Sequence, residues 1–255
     1  MSNKPSKEPD AFIGLAEKTA KAIEGNQKPL LSAVVILFLA GATYGLVETY
    51  QKMQEEKSIE KLYQAEAPLN KKIEGLEKSA FEALKDKKGD DVDTAAIRDE
   101  AVQLSDIEQE LASLAAFARS DAGSKAAARG GIRAAALYSK YGQSDQALSL
   151  LQDISKSYDK GSFYYGPIKM SLGTLFVEKG DLESAIAQFQ DILNAPASAY
   201  LHADTKLRMG MAYQKSGDLT NAKRFYTEVK EQDADGEVGR LATQYLRLLT
   251  LKERG

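Results

Sequence analysis

Apolar positions along the chain fall into three regimes: one unbroken run, a long stretch of helical periodicity, and a motif that returns three times. The unbroken run is Pro29–Val47, PLLSAVVILFLAGATYGLV, nineteen residues without a charge, closed by Lys28 before and Glu48 after. At about 1.5 Å of rise per residue, such a run reaches roughly 28 Å, close to the ~30 Å hydrocarbon thickness of a bilayer. Ten of its residues are Leu, Ile, Val or Phe, and each favours insertion by roughly 0.3–0.6 kcal/mol. The pattern predicts a single membrane-spanning helix over 29–47, a short tail over 1–28 and a large body behind it.

The tail is polar, with a weak amphipathic helix signalled by Phe12, Leu15, Ala16, Thr19 and Ile23 and supported by a Glu17–Lys21 pair. Lys4, Lys7, Lys18, Lys21 and Lys28 precede the span, while Lys52, Lys57 and Lys61 follow it. Basic residues weigh most in topology, so this distribution favours a cytoplasmic amino terminus. A cleaved signal peptide is the competing reading, with Leu30–Leu39 as its apolar region and Ala40-Gly41-Ala42 as a small-x-small cleavage site. The long acid-bearing region in front, and the continuation of the uncharged run to Val47, favour the uncleaved anchor.

Behind the span, residues 48–122 read as a helical stalk with further amino-terminal helices. Thr49–Ala67 is charged and free of Gly and Pro, so the helix is expected to run on until Pro68 ends it. Leu69–Lys87 then reads as a helix with Ile73, Leu76, Ala80, Ala83 and Leu84 on one face, stopped by Lys88-Gly89-Asp90-Asp91. Ile97, Ala101, Leu104, Ile107, Leu111, Leu114 and Ala118 recur three or four apart, a near-heptad stripe from about Thr94 to Arg119. Ser105-x-x-Glu108 inside it has the form of a capping box, leaving one helix or two open. The stripe is expected to pack on the body that follows; a surface for a partner helix is the alternative.

Residues 123–255 repeat themselves. An aromatic (Tyr138, Phe176, Tyr213) is followed four residues later by Gly142, Gly180 or Gly217, then by Ala147, Ala185 or Ala222. Leu151, Phe189 or Tyr226 and then Ile154, Ile192 or Val229 complete each copy, and a pair (Ala134-Ala135, Leu172-Gly173, Met209-Gly210) lies upstream. Each glycine suits a left-handed helix end, and Asp181, Asp218 or Ser144 can cap the helix that follows. Small residues belong where two antiparallel helices cross closely, and the aromatic and branched residues fill the space between successive pairs. Val238–Leu251, with Val238, Leu241, Tyr245, Leu248 and Leu249 on its apolar side, reads as a terminal helix that caps the stack.

In these residues the chain resembles the tetratricopeptide repeat family, best over Gly166–Ala199 and Ala203–Asp235 and more loosely around Gly142, where Gln143 replaces the aspartate. The resemblance implies an all-α solenoid of helix pairs whose first helices line a curved groove for peptides or partner helices. Its groove positions fall here on Ile132, Arg133, Ala136, Met170, Thr174, Val177, Leu207, Arg208, Met211 and Gln214. That mixture suits an adaptable apolar groove. The whole arrangement, a tail, one span, a helical stalk and degenerate repeats, is similar to the YfgM-like family of Gram-negative inner membranes. That resemblance implies a periplasm-facing accessory of the Sec translocon, with translocon subunits, periplasmic chaperones or client chains as partners.

Composition narrows the chemistry. With 34 basic against 37 acidic residues and no basic run longer than a pair, nothing points to nucleic acid. Cysteine is absent, and there is a single histidine, which leaves no thiolate metal site and few catalytic constellations. The one conceivable nucleophile arrangement, Ser198, His202 and Asp204, sits where polar helix caps are expected. No phosphate loop, dinucleotide fingerprint or carboxylate-rich metal loop occurs. The expectation is therefore a binding protein with no catalytic residue, cofactor or metal; the resemblance implies that it sits in the bacterial inner membrane with its repeats in the periplasm. Three rivals stand beside it: an envelope-assembly or division scaffold, a secreted binding protein released after Ala42, and a reversed anchor with cytosolic repeats.

Overall fold

A computed structural model describes residues 27–85 and 100–254; residues 1–26 of the tail with its expected helix, the break at 88–91 and Ile97 lie outside them. The described residues form nine α-helices and one 3₁₀ helix, with no strand among them. The helices are α1 (Gln27–Lys85), α2 (Leu104–Ser120), α3 (Lys125–Lys140), α4 (Ser144–Ser155), α5 (Tyr165–Lys179), α6 (Leu182–Leu193), α7 (His202–Ser216), α8 (Leu219–Gln232) and α9 (Glu237–Arg254). The 3₁₀ turn Pro196–Leu201 leads into α7. Two compact units divide the chain, Met1–Gln54 and Glu55–Gly255.

In the first unit, the expected span lies on α1, although the side chains of 29–31 and 33–35 are outside the described residues. Among the described residues, no helix is long and apolar enough to cross a membrane. The described part of the run exposes all its large apolar side chains, from 54% for Val47 to 76% for Phe38.

The second unit corrects the expected break at Pro68, because α1 continues through it to Lys85. A proline inside a helix costs about 3 kcal/mol through one lost hydrogen bond and a ring clash. Here Leu62 and Leu69, on either side of Pro68, are buried against the neighbouring helices. Two such side chains return roughly 1.5–3 kcal/mol each, so packing overrides the local preference. Lys61 pairs with Asp121 at 2.8 Å, and Lys72 with Glu110 of α2 at 3.0 Å, along the same contact.

α2 settles the open question of the apolar stripe. Gln103 is extended (φ −103°, ψ 154°), so a separate helix begins at Leu104. The Asp106 carboxylate accepts a hydrogen bond from the Gln103 backbone N–H at 3.0 Å, so Asp106 rather than Glu108 reaches back to the helix start. Ile107, Leu111, Leu114 and Ala118 are fully buried in the same core as α3 and α4, the packing role expected for the stripe.

The helix pairs α3–α4, α5–α6 and α7–α8 follow in register. Gly142, Gly180 and Gly217 all have left-handed backbones, with φ of +75°, +80° and +87°. Asp181 and Asp218 cap the second helices by accepting from the backbone N–H of Ser184 (3.1 Å) and Asn221 (3.0 Å). In the first pair Ser144 does not cap; Gln143 holds the aspartate's position and its side chain makes no capping bond. The core runs along the stack in three adjoining clusters: α1 to α5, then α6 with Met209 and Phe225, then α7 to α9. In α9, Ala242 and Leu249 are buried on α8, but Leu241, Leu248 and Leu251 are exposed. The expected stripe is therefore corrected: α9 packs on one side only, and three of its five leucines stay outside.

Candidate partner-binding groove

Two depressions mark the side of the stack lined by the first helices of the pairs. The lower one, about 630 Å³, lies between α3 and α5 and is bordered by Ile132, Ala136, Ser139, Met170, Thr174 and Glu178. The upper one, about 380 Å³, lies between α5 and α7 and is bordered by Thr174, Val177, Met211, Gln214 and Lys215, with Phe189, Tyr226 and Tyr245 also lining it. Thr174 and Arg208 border both, which joins them into one groove.

The small residues of the repeat build the upper cleft. At Gly210 a Cβ would lie 2.5 Å from Tyr226 Cε1, and Gly173 leaves room in the same way for Phe189. Each ring therefore crosses its own first helix at close range and is buried. The Tyr226 ring stacks on Tyr245, with centroids 5.2 Å apart and planes at 14°. Its hydroxyl donates to Gln214 Oε1 at 2.8 Å. Burial first, and then the neighbouring Tyr245, push the Tyr226 phenol well above its ordinary range, so it remains a neutral donor.

The rim is polar. Lys215 Nζ donates to the Val177 carbonyl at 2.9 Å, tying α7 to α5. Arg208 Nε donates to Asp204 Oδ2 at 3.0 Å, one turn back on its own helix. In the lower cleft Ser139 Oγ donates to Glu178 Oε2 at 2.6 Å. The arrangement offers an apolar floor, two cations at the upper rim and neutral amide and hydroxyl groups between them. It suits non-covalent recognition of another chain.

Of the expected groove residues, Ile132, Ala136, Met170, Thr174, Val177, Arg208, Met211 and Gln214 are brought together here. Leu207 and Arg133 are placed elsewhere. Leu207 is only 5% exposed, in the core with Ala222, Tyr226 and Val229. Arg133 turns to α1, where its guanidinium meets Glu66 Oε1 at 3.0 Å and Asn70 Oδ1. Phe189, Tyr226, Tyr245 and Lys215 line the groove without having been singled out for it. Periodicity assigns such rings to the fill between helix pairs, and only the missing Cβ at Gly173 and Gly210 signals that their edges reach the other side. Ser198, His202 and Asp204 form no relay among the described residues: Asp204 is taken by Arg208, and neither Ser198 Oγ nor His202 Nε2 has a hydrogen-bond partner among them.

The third helix pair is also where the chain meets known proteins. Residues 203–235, which span α7 and α8, match the tetratricopeptide repeat. No curated protein matches the chain. The chain thus carries a tetratricopeptide repeat within an all-helical fold, and a repeat of this kind points to a protein–protein interaction module with protein partners.

Proposed function

We propose that this chain is a membrane-anchored interaction module whose partner surface is the joined groove between α3, α5 and α7. The observation that carries the reading is that groove: Thr174 and Arg208 join two depressions along successive first helices, and the upper one has an apolar floor. Stacked helix pairs present curved surfaces of this kind to peptides and helices.

The anchor is the run 29–47. Its support is the continuous band of exposed apolar side chains over 36–47, more than a water-facing helix leaves uncovered. The hydroxyl of Thr43 bonds to carbonyls of its own helix at 2.9 Å, so it brings no unpaired donor into the run. The lysine distribution supports a cytoplasmic amino terminus and repeats in the periplasm. The resemblance of the whole arrangement supports the finer role: an accessory of the Sec translocon that passes emerging chains to periplasmic chaperones.

Co-purification of the tagged chain from native membranes in mild detergent, followed by mass spectrometry, tests this reading. Near-stoichiometric recovery of channel subunits is the expected result, with their loss when Met211→Ser strips the groove of an apolar side chain. Recovery of the chain alone, or with division or outer-membrane assembly factors, overturns the export role. Undiminished capture by Met211→Ser overturns the groove.

A further inference from the structure

We propose that the upper cleft takes an amphipathic helix of a partner protein that presents a carboxylate, an aliphatic side chain and a second carboxylate at i, i+3 or i+4, and i+7. This rests on the groove being the partner surface, and it adds what the partner must look like. Arg208, Met211 and Lys215 stand at i, i+3 and i+7 on α7 and all border the cleft. They form one stripe on one face, with the two cations about 10.5 Å apart along the axis. Met211, between them, is 42% exposed. The cleft lining holds two cations and no aspartate or glutamate. At the rim of an apolar cleft such a pair selects a partner of opposite charge.

Both cations retain capacity to bind. Arg208 uses only Nε on Asp204, and that pair is half exposed, at 40% for each side chain. Its two Nη groups are left for a carboxylate fork. Lys215 spends one of its three protons on the Val177 carbonyl, which holds its ammonium at the rim. The chain itself supplies a precedent. Arg133 lies five residues before Tyr138, as Arg208 lies five before Tyr213. At this shared position Arg133 is held by Glu66 and Asn70, a carboxylate and an amide at i and i+4 on helix α1. An arginine at this point of the repeat therefore already meets a helical carboxylate within the same fold. At Arg208 the ion pair among the described residues is with Asp204 of its own helix, and the Glu178 carboxylate of the lower depression is taken by Ser139.

Three labelled alanine-rich helical peptides test the proposal by fluorescence anisotropy against the full chain in mild detergent. They carry Glu-x2-Leu-x3-Glu, Lys-x2-Leu-x3-Lys and Glu-x2-Ser-x3-Glu. The first is expected to bind about tenfold more tightly than either of the others, with affinity that falls as salt rises. Arg208→Gln should weaken it about fivefold or more and flatten the salt dependence. Absence of binding by the first peptide, equal binding by the lysine peptide, or an affinity unmoved by Arg208→Gln overturns the proposal. Met211→Ser separates the levels: if it releases the co-purified partner while the peptides fail to discriminate, the partner chemistry is wrong and the groove stands. If neither responds, both fall.

Discussion

Gly210→Ala is the sharpest probe of how the stack is held together. An alanine in a helix is worth about 1 kcal/mol over glycine, so propensity alone makes the change stabilising. The packing at this site opposes it. The new Cβ would stand 2.5 Å from Tyr226 Cε1, 2.7 Å from Cδ1 and 3.1 Å from Cζ. Carbon atoms sit comfortably at roughly 3.5–4.0 Å, so the ring must retreat by about 1 Å. It has little freedom to do so, being fully buried, stacked on Tyr245 and hydrogen-bonded to Gln214. Overpacking of this kind costs about 1–3 kcal/mol, and displacement of the hydroxyl adds about 1 kcal/mol. The net effect is a loss of about 2 kcal/mol, which for a body of this size lowers Tm by roughly 4–8 °C. Gly75→Ala on α1 is the control, because nothing lies within 4 Å of its Cβ; there the gain of about 1 kcal/mol should appear undiminished. Thermal and denaturant unfolding followed by far-UV circular dichroism measures both. In a Tyr226→Leu background the penalty of Gly210→Ala should shrink by about 1 kcal/mol or more. A Gly210→Ala chain that melts at or above the parent refutes the argument.

Leu69→Ala should cost about 2–5 kcal/mol, because Leu69 is fully buried where α1 meets the repeats; faster proteolysis between Glu55 and Lys85 would show it. Tyr63→Ala on the exposed flank of the same helix should change stability by less than about 0.5 kcal/mol. The capping carboxylates set an acid limit. Hydrogen bonds from Ser184 hold Asp181, and those from Asn221 hold Asp218, below the usual carboxylate range. Their folded pKa values lie below the unfolded value of about 3.9, so their contribution is present above it and is lost as pH falls through the folded values. Replacing both with asparagine, which still accepts the capping bond, should make the denaturant midpoint less steep on pH below about 4; an unchanged acid limb would show that the caps do not contribute.

Much of this molecule could be read from one dimension. The three left-handed glycines, the Asp181 and Asp218 caps and the aromatic–small pairing are local rules, satisfied within a few residues or between one helix and the next, and their spacing alone brings most of the groove positions into register. The stripe over α2 was equally legible, because a 3.6-residue period has only one way to turn an apolar face to a core. What escaped the sequence were outcomes of competition between distant parts. Pro68 ends a helix by its own preference, yet Leu62 and Leu69 keep α1 helical through it by packing on residues far along the chain. Arg133 and Arg208 share a repeat position, and only the neighbour each meets decides between them: Glu66 and Asn70 take up the first, while the second stays at the open groove. Leu241 and Leu248 satisfy the helical period of a core stripe, but α9 is covered on one side alone, and which leucines are buried depends on the angle at which it meets α8. Periodicity states which residues share a face; only the tertiary arrangement states what that face meets.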